Sequence, residues 1–206
     1  QNIFSKSVVF APLLSRYQYS VYNEKENNFP LMTTLFTTWG EPILDTMGNE
    51  FRAAKYKKSI LAADPSLEPR LKCQRFLYGV VTLLAPVNMT GTSIAAVTTP
   101  CFFTAKGANF NPFSEALDAL SKQKKLMHNS PLILSTRREK NGGTTYFVSE
   151  ISVPEKETKL EGFDINTLFS DLLGVIASNN KQIIDKYNEV KKKSERINTD
   201  DFAKDF

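Results

Sequence analysis

A long alternating segment between residues 70 and 84 most constrains the fold, because alternation with a period of two indicates a β-strand with two different faces. One face carries Leu71, Cys73, Arg75, Leu77, Gly79 and Val81. The other face carries Lys72, Gln74, Phe76, Tyr78 and Val80. We therefore expect a fold that is based on β-sheet.

Further strands are predicted at residues 7–10, 31–38 and 100–104, where β-branched and aromatic residues cluster. Residues 132–138 and 144–153 form a predicted hairpin, because the Asn141-Gly142 turn between them supplies the positive φ angles of a tight turn. Residues 85–99 are small and polar, so a flexible loop and a loose hairpin both remain open there.

Helices are predicted in three places. Glu41-Pro42 can open one, since proline is tolerated in a first turn. A second runs from about residue 113 to 127, with Ser114 as N-cap and an apolar stripe along one side. A charged linker is expected at 154–162. The third helix follows Asp164, the expected N-cap, because apolar residues recur there with helical spacing. The apolar residues further along belong either to the same helix or to a second one.

This order of elements places a helix between the third and fourth strands of a small barrel, which is the arrangement of the OB-fold. We expect a mainly β fold with some α-helix: an OB-fold-like five-stranded barrel with a helical C-terminal extension. The predicted domains are an OB-fold-like domain at 1–153, the helical extension at 154–198 and an acidic C-terminal tip at 199–206.

Composition argues against metal and catalytic chemistry. The chain has 206 residues, two cysteines far apart in sequence and one histidine, so no zinc-ligand spacing is present. No glycine-rich phosphate loop, nucleophile motif or carboxylate cluster stands out. We expect no enzyme activity, no cofactor and no metal. No apolar run is long enough to cross a bilayer, so we expect no membrane partner and a cytoplasmic location, in a cell or an infected host.

Cations interleaved with aromatic residues are the candidate binding residues, since single-stranded nucleic acid needs cations for its phosphates and rings for its bases. For the first set the alternative is a barrel strand whose rings pack inward beside solvated lysines, and in the second set one of Tyr146 and Phe147 must face the core, because strand neighbours alternate. The first set is Lys55, Tyr56, Lys57, Lys58, Arg70, Lys72, Arg75, Phe76 and Tyr78. The second surrounds the hairpin turn and comprises Arg137, Arg138, Lys140 and Tyr146.

The C-terminal tip is acidic and ends in phenylalanine, so it offers a partner an aromatic ring and carboxylates at one point. Its candidate residues are Asp200, Asp201, Phe202, Asp205 and Phe206. A frayed polar tail is the alternative. The basic stretch from Lys186 to Arg196 is typical of a solvated helical face, and it could also hold the tip when no DNA is bound.

Several stretches resemble the single-stranded DNA-binding proteins of T-even-like phages. They are residues 70–81, which start with cations and end apolar, 111–125, 132–134 and 145–151. The resemblance implies an OB-fold that coats single-stranded DNA. That family's zinc subdomain needs cysteine and histidine ligands that are absent here, so residues 40–69 would fold without metal. The basic N-terminal arm linked to cooperative binding is not evident either.

The predicted function is binding of single-stranded DNA without strong sequence preference, protecting it during replication or recombination. The tip would recruit replication or recombination proteins. The alternative is a phage virion or scaffold protein with a β-rich domain and assembly helices. The choice between DNA and RNA, and self-association, are left open.

Overall fold

A computed structural model describes residues 3–153 and 163–202, and the side chains among them up to residue 195. The chain divides into two compact units. Unit 1 comprises Gln1–Ser15 and Arg75–Phe169, and unit 2 comprises Arg16–Gln74 and Ser170–Phe206. The chain passes from one unit to the other three times, within its two longest strands and within its C-terminal helix.

The elements are, in chain order, β1 (Ser7–Asn23), β2 (Asn28–Met32), β3 (Pro42–Leu44), β4 (Glu50–Arg52), α1 (Ala53–Ala63), β5 (Leu71–Leu84), β6 (Val97–Ala105), α2 (Phe110–Lys122), β7 (Leu132–Asn141), β8 (Thr144–Ser152) and α3 (Ile165–Phe202). The alternating segment is β5, as predicted. The predicted hairpin is β7–β8, although its turn is Gly142-Gly143 and not Asn141-Gly142, because Asn141 still pairs with Thr144 and, of Asn141 and Gly142, Gly142 alone has a positive φ, +57°. These two predictions are confirmed.

The C-terminal helical prediction is also confirmed, as one continuous helix of 38 residues. The side chain of Asp164 accepts hydrogen bonds from the backbone N–H of Asn166 and of Thr167, which satisfies donors of the first turn. The hydrogen bond from the Thr167 hydroxyl, and after it these backbone bonds, hold the pKa of Asp164 below its usual value. The predicted linker at 154–162 lies outside the described residues.

Three local predictions were wrong. Pro42 begins β3 and not a helix, and α1 starts only at Ala53. Ser114 is not an N-cap, because α2 already begins at Phe110 and the Ser114 hydroxyl donates to the Phe110 carbonyl inside the helix. The strand predicted at 31–38 is β2, which ends at Met32.

Backbone pairing joins six strands into one sheet in the order β6-β5-β1-β7-β8, with β2 paired to β1. The pairs β1–β7, β5–β6 and β7–β8 are antiparallel. β6 and β8 end this order, so strand pairing within the described residues does not close the predicted barrel. The coarser prediction of a mainly β fold with a C-terminal helix is confirmed.

Unit 1 has its own hydrophobic core, formed where α2 packs against the strands. Its buried residues are Phe10, Leu77, Ala105, Phe113, Ala116, Leu117, Leu120 and Leu132. The rings of Phe103 on β6 and Phe113 on α2 lie 4.7 Å apart. The backbone N–H of Ser149 on β8 donates to the side chain of Asn109, the N-cap of α2, at 2.6 Å. α2 and its cap therefore contact both strands that end the sheet order.

Unit 2 is built around an aromatic cluster that packs against α1. The rings of Tyr19 and Tyr56 lie 5.1 Å apart, and both side chains are buried. The Tyr56 hydroxyl donates to the carboxylate of the buried Asp45 at 2.6 Å. Burial, and secondly this hydrogen bond, raise the pKa of Tyr56 above its ordinary value. Burial also raises the pKa of Tyr19, to about 12.

α3 packs against unit 2 along one face. Ile176 and Ile183 are buried, and the side-chain oxygen of Asn180 accepts a hydrogen bond from the Leu35 backbone N–H at 2.6 Å. Further along the helix, Val190 lies against Gly48, whose φ of +84° makes a side chain there strained. Among the described helices, none is long and apolar enough to span a membrane.

Candidate nucleic-acid interface

The β7–β8 hairpin has two faces with different chemistry, because directly opposed residues of paired strands point to the same side. Leu134 pairs with Ile151, and both pack against the core of unit 1. We call the side that carries them the hairpin inner face. Its remaining residues are Thr136, Arg138, Lys140, Thr145, Phe147 and Ser149, and the outer face carries Ser135, Arg137, Glu139, Tyr146, Val148 and Glu150.

The outer face neutralises its own charge. The Arg137 guanidinium forms ion pairs with Glu139 at 2.6 Å and with Glu150 at 3.3 Å. The Tyr146 hydroxyl donates to the other oxygen of Glu139 at 2.9 Å. The bonds from Arg137 and Tyr146 lower the pKa of Glu139, and Glu139 in turn raises the pKa of both partners. Arg137 and Tyr146, both predicted contacts, therefore form one network away from the other predicted cations.

The inner face keeps its cations exposed. Arg138 and Lys140 are exposed, and Arg138 is directly opposite Phe147, whose side chain is 60% exposed. Within these two strands the inner face carries no carboxylate, and no ion pair of Arg138 or Lys140 occurs in the described part of the chain. The hairpin thus presents cations and a ring on one side.

A cavity of about 330 Å³ adjoins the inner face. It is lined by residues of all five strands of unit 1, together with the exposed Lys6 that precedes β1. The lining residues that matter here are Val8, Val81, Phe102, Phe103, Thr136 and Ser149. Because β6 and β8 both line it, the sheet curls enough for its two end strands to border one concavity.

Two predicted contacts on β5 are buried, and these predictions are wrong for that reason. Arg75 is 7% exposed, and its guanidinium donates to the hydroxyls of Ser15 and Ser114, each at 2.9 Å. Tyr78 is 4% exposed, and its ring lies 6.4 Å from that of Phe102, the residue opposite it on β6. Neither side chain can meet a strand of nucleic acid in this conformation.

Phe102 is the exposed ring of this pair, at 68%. Phe76, a predicted stacking residue, is half-buried on β5 opposite Thr104. Phe102 is not predictable from sequence, because the segment 97–105 shows no clear alternation. The pairing register was needed to bring it beside Tyr78.

In unit 2, the predicted Lys55, Lys57 and Lys58 are exposed along α1. Tyr56 between them was predicted to stack on bases, and this is wrong because its side chain is fully buried and bonded to Asp45. Adjacent residues of a helix lie about 100° apart around its axis, so Tyr56 can be buried while Lys55, Lys57 and Lys58 stay exposed.

Arg70 and Lys72, the remaining predicted cations, are exposed at the start of β5. Arg70 borders an apolar groove of about 340 Å³ whose lining includes Val21, Leu31 and Ile60. It also borders a polar concavity of about 500 Å³, beside Tyr22 and Lys25. The first predicted set is therefore divided: its lysines and Arg70 belong to unit 2, and Arg75, Phe76 and Tyr78 belong to unit 1.

The cysteines show no sign of reactivity. Burial raises the pKa of Cys73 to about 12 and that of Cys101 to about 11, so both stay protonated near neutral pH. In the residues that the structure describes, no group of three or more histidine, cysteine or carboxylate side chains could hold a metal ion.

The predicted partner-binding residues of the tip lie outside what can be described. The side chains of Asp200, Asp201 and Phe202 are not described, and neither Asp205 nor Phe206 is. Comparison of the chain with protein-family models, with curated protein sequences and with solved structures finds no match.

Proposed function

We propose that this chain binds single-stranded DNA without strong sequence preference. The observation that carries the proposal is the hairpin inner face, where Arg138 and Lys140 are exposed beside Phe147 with no carboxylate among them. A flexible strand needs cations spaced along its phosphates and rings for its unpaired bases. The outer face of the same hairpin lacks this property, because Arg137 is paired with two glutamates.

The architecture of unit 1 supports an OB-fold. That fold is a five-stranded, partly open Greek-key barrel, and it binds oligonucleotides with strands 2–3 and with the loops that join strands 1–2 and 4–5. Counted along unit 1, β5 and β6 are the second and third strands and the hairpin turn joins the fourth and fifth. α2 falls between the third and fourth strands, and only a β6–β8 pairing is missing for closure.

The binding chemistry follows from these positions. Arg138, Lys140 and the exposed Lys6 beside the cavity would contact phosphates, while Phe147 and Phe102 would stack on bases. Stacking on an aromatic side chain contributes about 1–3 kcal/mol per base and accepts every base, since each has a π-face. Phosphate contacts release counterions and make the affinity depend on salt.

The biological role within this proposal is protection of the strand during replication or recombination, in the cytoplasm of a cell or of an infected host. The acidic tip would recruit other replication proteins, with its carboxylates and terminal ring meeting an apolar pocket bordered by cations. The resemblance to phage single-stranded DNA-binding proteins supports this role.

Fluorescence anisotropy of a labelled oligo-dT tests the proposal. We expect the affinity for oligo-dT to fall steadily as the salt concentration is raised. Excess duplex of the same length should displace the labelled oligo-dT only poorly. No binding at low salt, an affinity that is indifferent to salt, or equal competition by duplex would overturn it. Oligo-rU in place of oligo-dT decides whether the sugar matters.

The alternative is an assembly protein of a virion or scaffold. The observation that favours it is a set of apolar side chains that α3 exposes, namely Phe169 at 39%, Leu173 at 38%, Val175 at 49% and Ile184 at 37%. Such residues can pack against other chains. This alternative predicts a defined oligomer in multi-angle light scattering and no preference of the protein for single strands over duplex.

A further inference from the structure

Unit 2 exposes the one tryptophan of the chain, Trp39, at the edge of its aromatic cluster. The ring of Trp39 lies 5.1 Å from that of Tyr17 and 5.4 Å from that of Phe36. Phe36 is 1% exposed, as expected of a core ring, whereas Trp39 is 42% exposed. Neighbouring rings therefore support Trp39 from behind and leave a large part of it open to solvent.

The loop that carries Trp39 is held in place by hydrogen bonds. The carboxylate of Glu41 accepts from the backbone N–H of Thr38 at 2.9 Å and of Thr37 at 3.2 Å. The Trp39 carbonyl accepts from the N–H of Ala54 in α1 at 2.9 Å. A ring held in this way loses little conformational freedom when it meets a flat ligand, so the site is preorganised.

Cations lie on the element to which this loop is bonded. Lys55 follows Ala54 directly, and Lys58 is three residues further, on the same exposed side of α1. In the described part of the chain, no ion pair joins either lysine to a carboxylate. The carboxylate of the Trp39 loop, that of Glu41, is occupied with backbone N–H groups.

We propose that Trp39 is a second base-stacking position, in unit 2, and that Lys55 and Lys58 contact the phosphates of the same single strand. This inference rests on the proposed function and extends it to unit 2. There Trp39 would have the base-stacking role that was predicted for Tyr56, whose side chain is buried. An indole has the largest π-face among side chains and stacks on any base.

A single titration tests the inference separately from the proposed function. The full chain is titrated with labelled oligo-dT while the anisotropy of the label and the emission of the protein are both recorded. Since the chain has one tryptophan, the tryptophan emission reports on this site alone. We expect both signals to change together, with quenching of Trp39.

Variants complete the test. We expect Trp39→Ala to lower the affinity by about 5- to 150-fold, and Trp39→Phe to retain most of it, because a phenyl ring still stacks. Circular dichroism melts check that both variants are folded. If Trp39→Ala unfolds the chain, Trp39→Leu, which keeps an apolar side chain but has no π-face, takes its place in the affinity comparison.

The outcomes separate clearly. If anisotropy does not rise, the proposed function fails, and this inference fails with it. If anisotropy rises while the Trp39 emission stays constant, only the inference is overturned. A folded Trp39→Ala variant with wild-type affinity also overturns it, even when emission changes, since the change would then be indirect.

Discussion

Neutralising the inner-face cations is the sharpest test of the hairpin. In the double variant Arg138→Gln/Lys140→Gln, two exposed charges are removed from a face that carries no carboxylate. We expect weaker binding of oligo-dT and, more specifically, a weaker dependence of that binding on salt. The second effect is diagnostic, because it counts the phosphate contacts that are lost.

The magnitude follows from counterion release. Each phosphate contact with a single strand contributes about 0.7 to the slope of log K against log salt, so two contacts contribute about 1.4. Between about 0.05 and 0.2 M salt, the affinity advantage of the wild type over the variant should shrink about sevenfold. A variant that lost affinity through misfolding would have no reason to follow this slope.

The assay is an anisotropy titration at several salt concentrations. The matched control is Lys106→Gln/Lys122→Gln, which removes the same net charge from exposed positions shortly before α2 and at its end; no ion pair of either lysine occurs in the described part of the chain. We expect the control to keep the wild-type slope. An unchanged slope in the Arg138/Lys140 variant, or an equal change in the control, refutes the assignment of phosphate contacts to the inner face.

Four further outcomes are expected. Phe147→Ala should weaken oligo-dT binding about 5- to 150-fold in anisotropy titrations while Phe147→Tyr does not, and equal affinities would exclude stacking there. Gly79→Ala should destabilise the fold by about 1–3 kcal/mol in urea denaturation, because the added methyl would overlap the Ala11 carbonyl; an unchanged midpoint would contradict this close packing. Because folding raises the pKa of Tyr56, its neutral side chain contributes stability that is fully present below about pH 10, the pKa of an unfolded tyrosine. This contribution is lost as the pH rises further. Urea denaturation at a series of pH values above about 10 should show that the free energy of unfolding falls more steeply in the wild type than in Tyr56→Phe. Parallel curves for the two proteins would contradict a raised pKa of Tyr56. Removal of residues 199–206 should raise the affinity for oligo-dT at low salt if the tip covers basic surface of the protein. An unchanged affinity would exclude that covering and leave the tip only the role of docking partner proteins.

Local sequence rules predicted the elements whose cause is local. Alternation located β5, the turn signal Asn141-Gly142 located the hairpin, and Asp164 marked the start of α3. They failed at Glu41-Pro42, where a proline that is compatible with a first helical turn begins a strand instead. Its strand partner β4 lies several residues ahead in sequence, and pairing with it outweighed a weak local preference.

The candidate site was predicted less well than the elements, because exposure depends on contacts between distant segments. The sequence marks Arg137 and Arg138 as equivalent neighbours, yet Arg137 is paired with Glu139 and Glu150, whereas Arg138 has no ion pair in the described part of the chain. Tyr146 and Phe147 divide in the same way, since Glu139 holds the Tyr146 hydroxyl. Only the register of β7 against β8 assigns these side chains to faces.

By itself, then, the sequence determined a mainly β chain with a tight basic hairpin and a long C-terminal helix, because turn chemistry, strand alternation and helix capping act between near neighbours. The tertiary structure decided which rings and cations meet solvent. It buried Tyr56 and Tyr78 and exposed Trp39 and Phe102. Burial is set by the packing of segments far apart in the chain, and a pattern of residue types along one strand or helix does not contain that information.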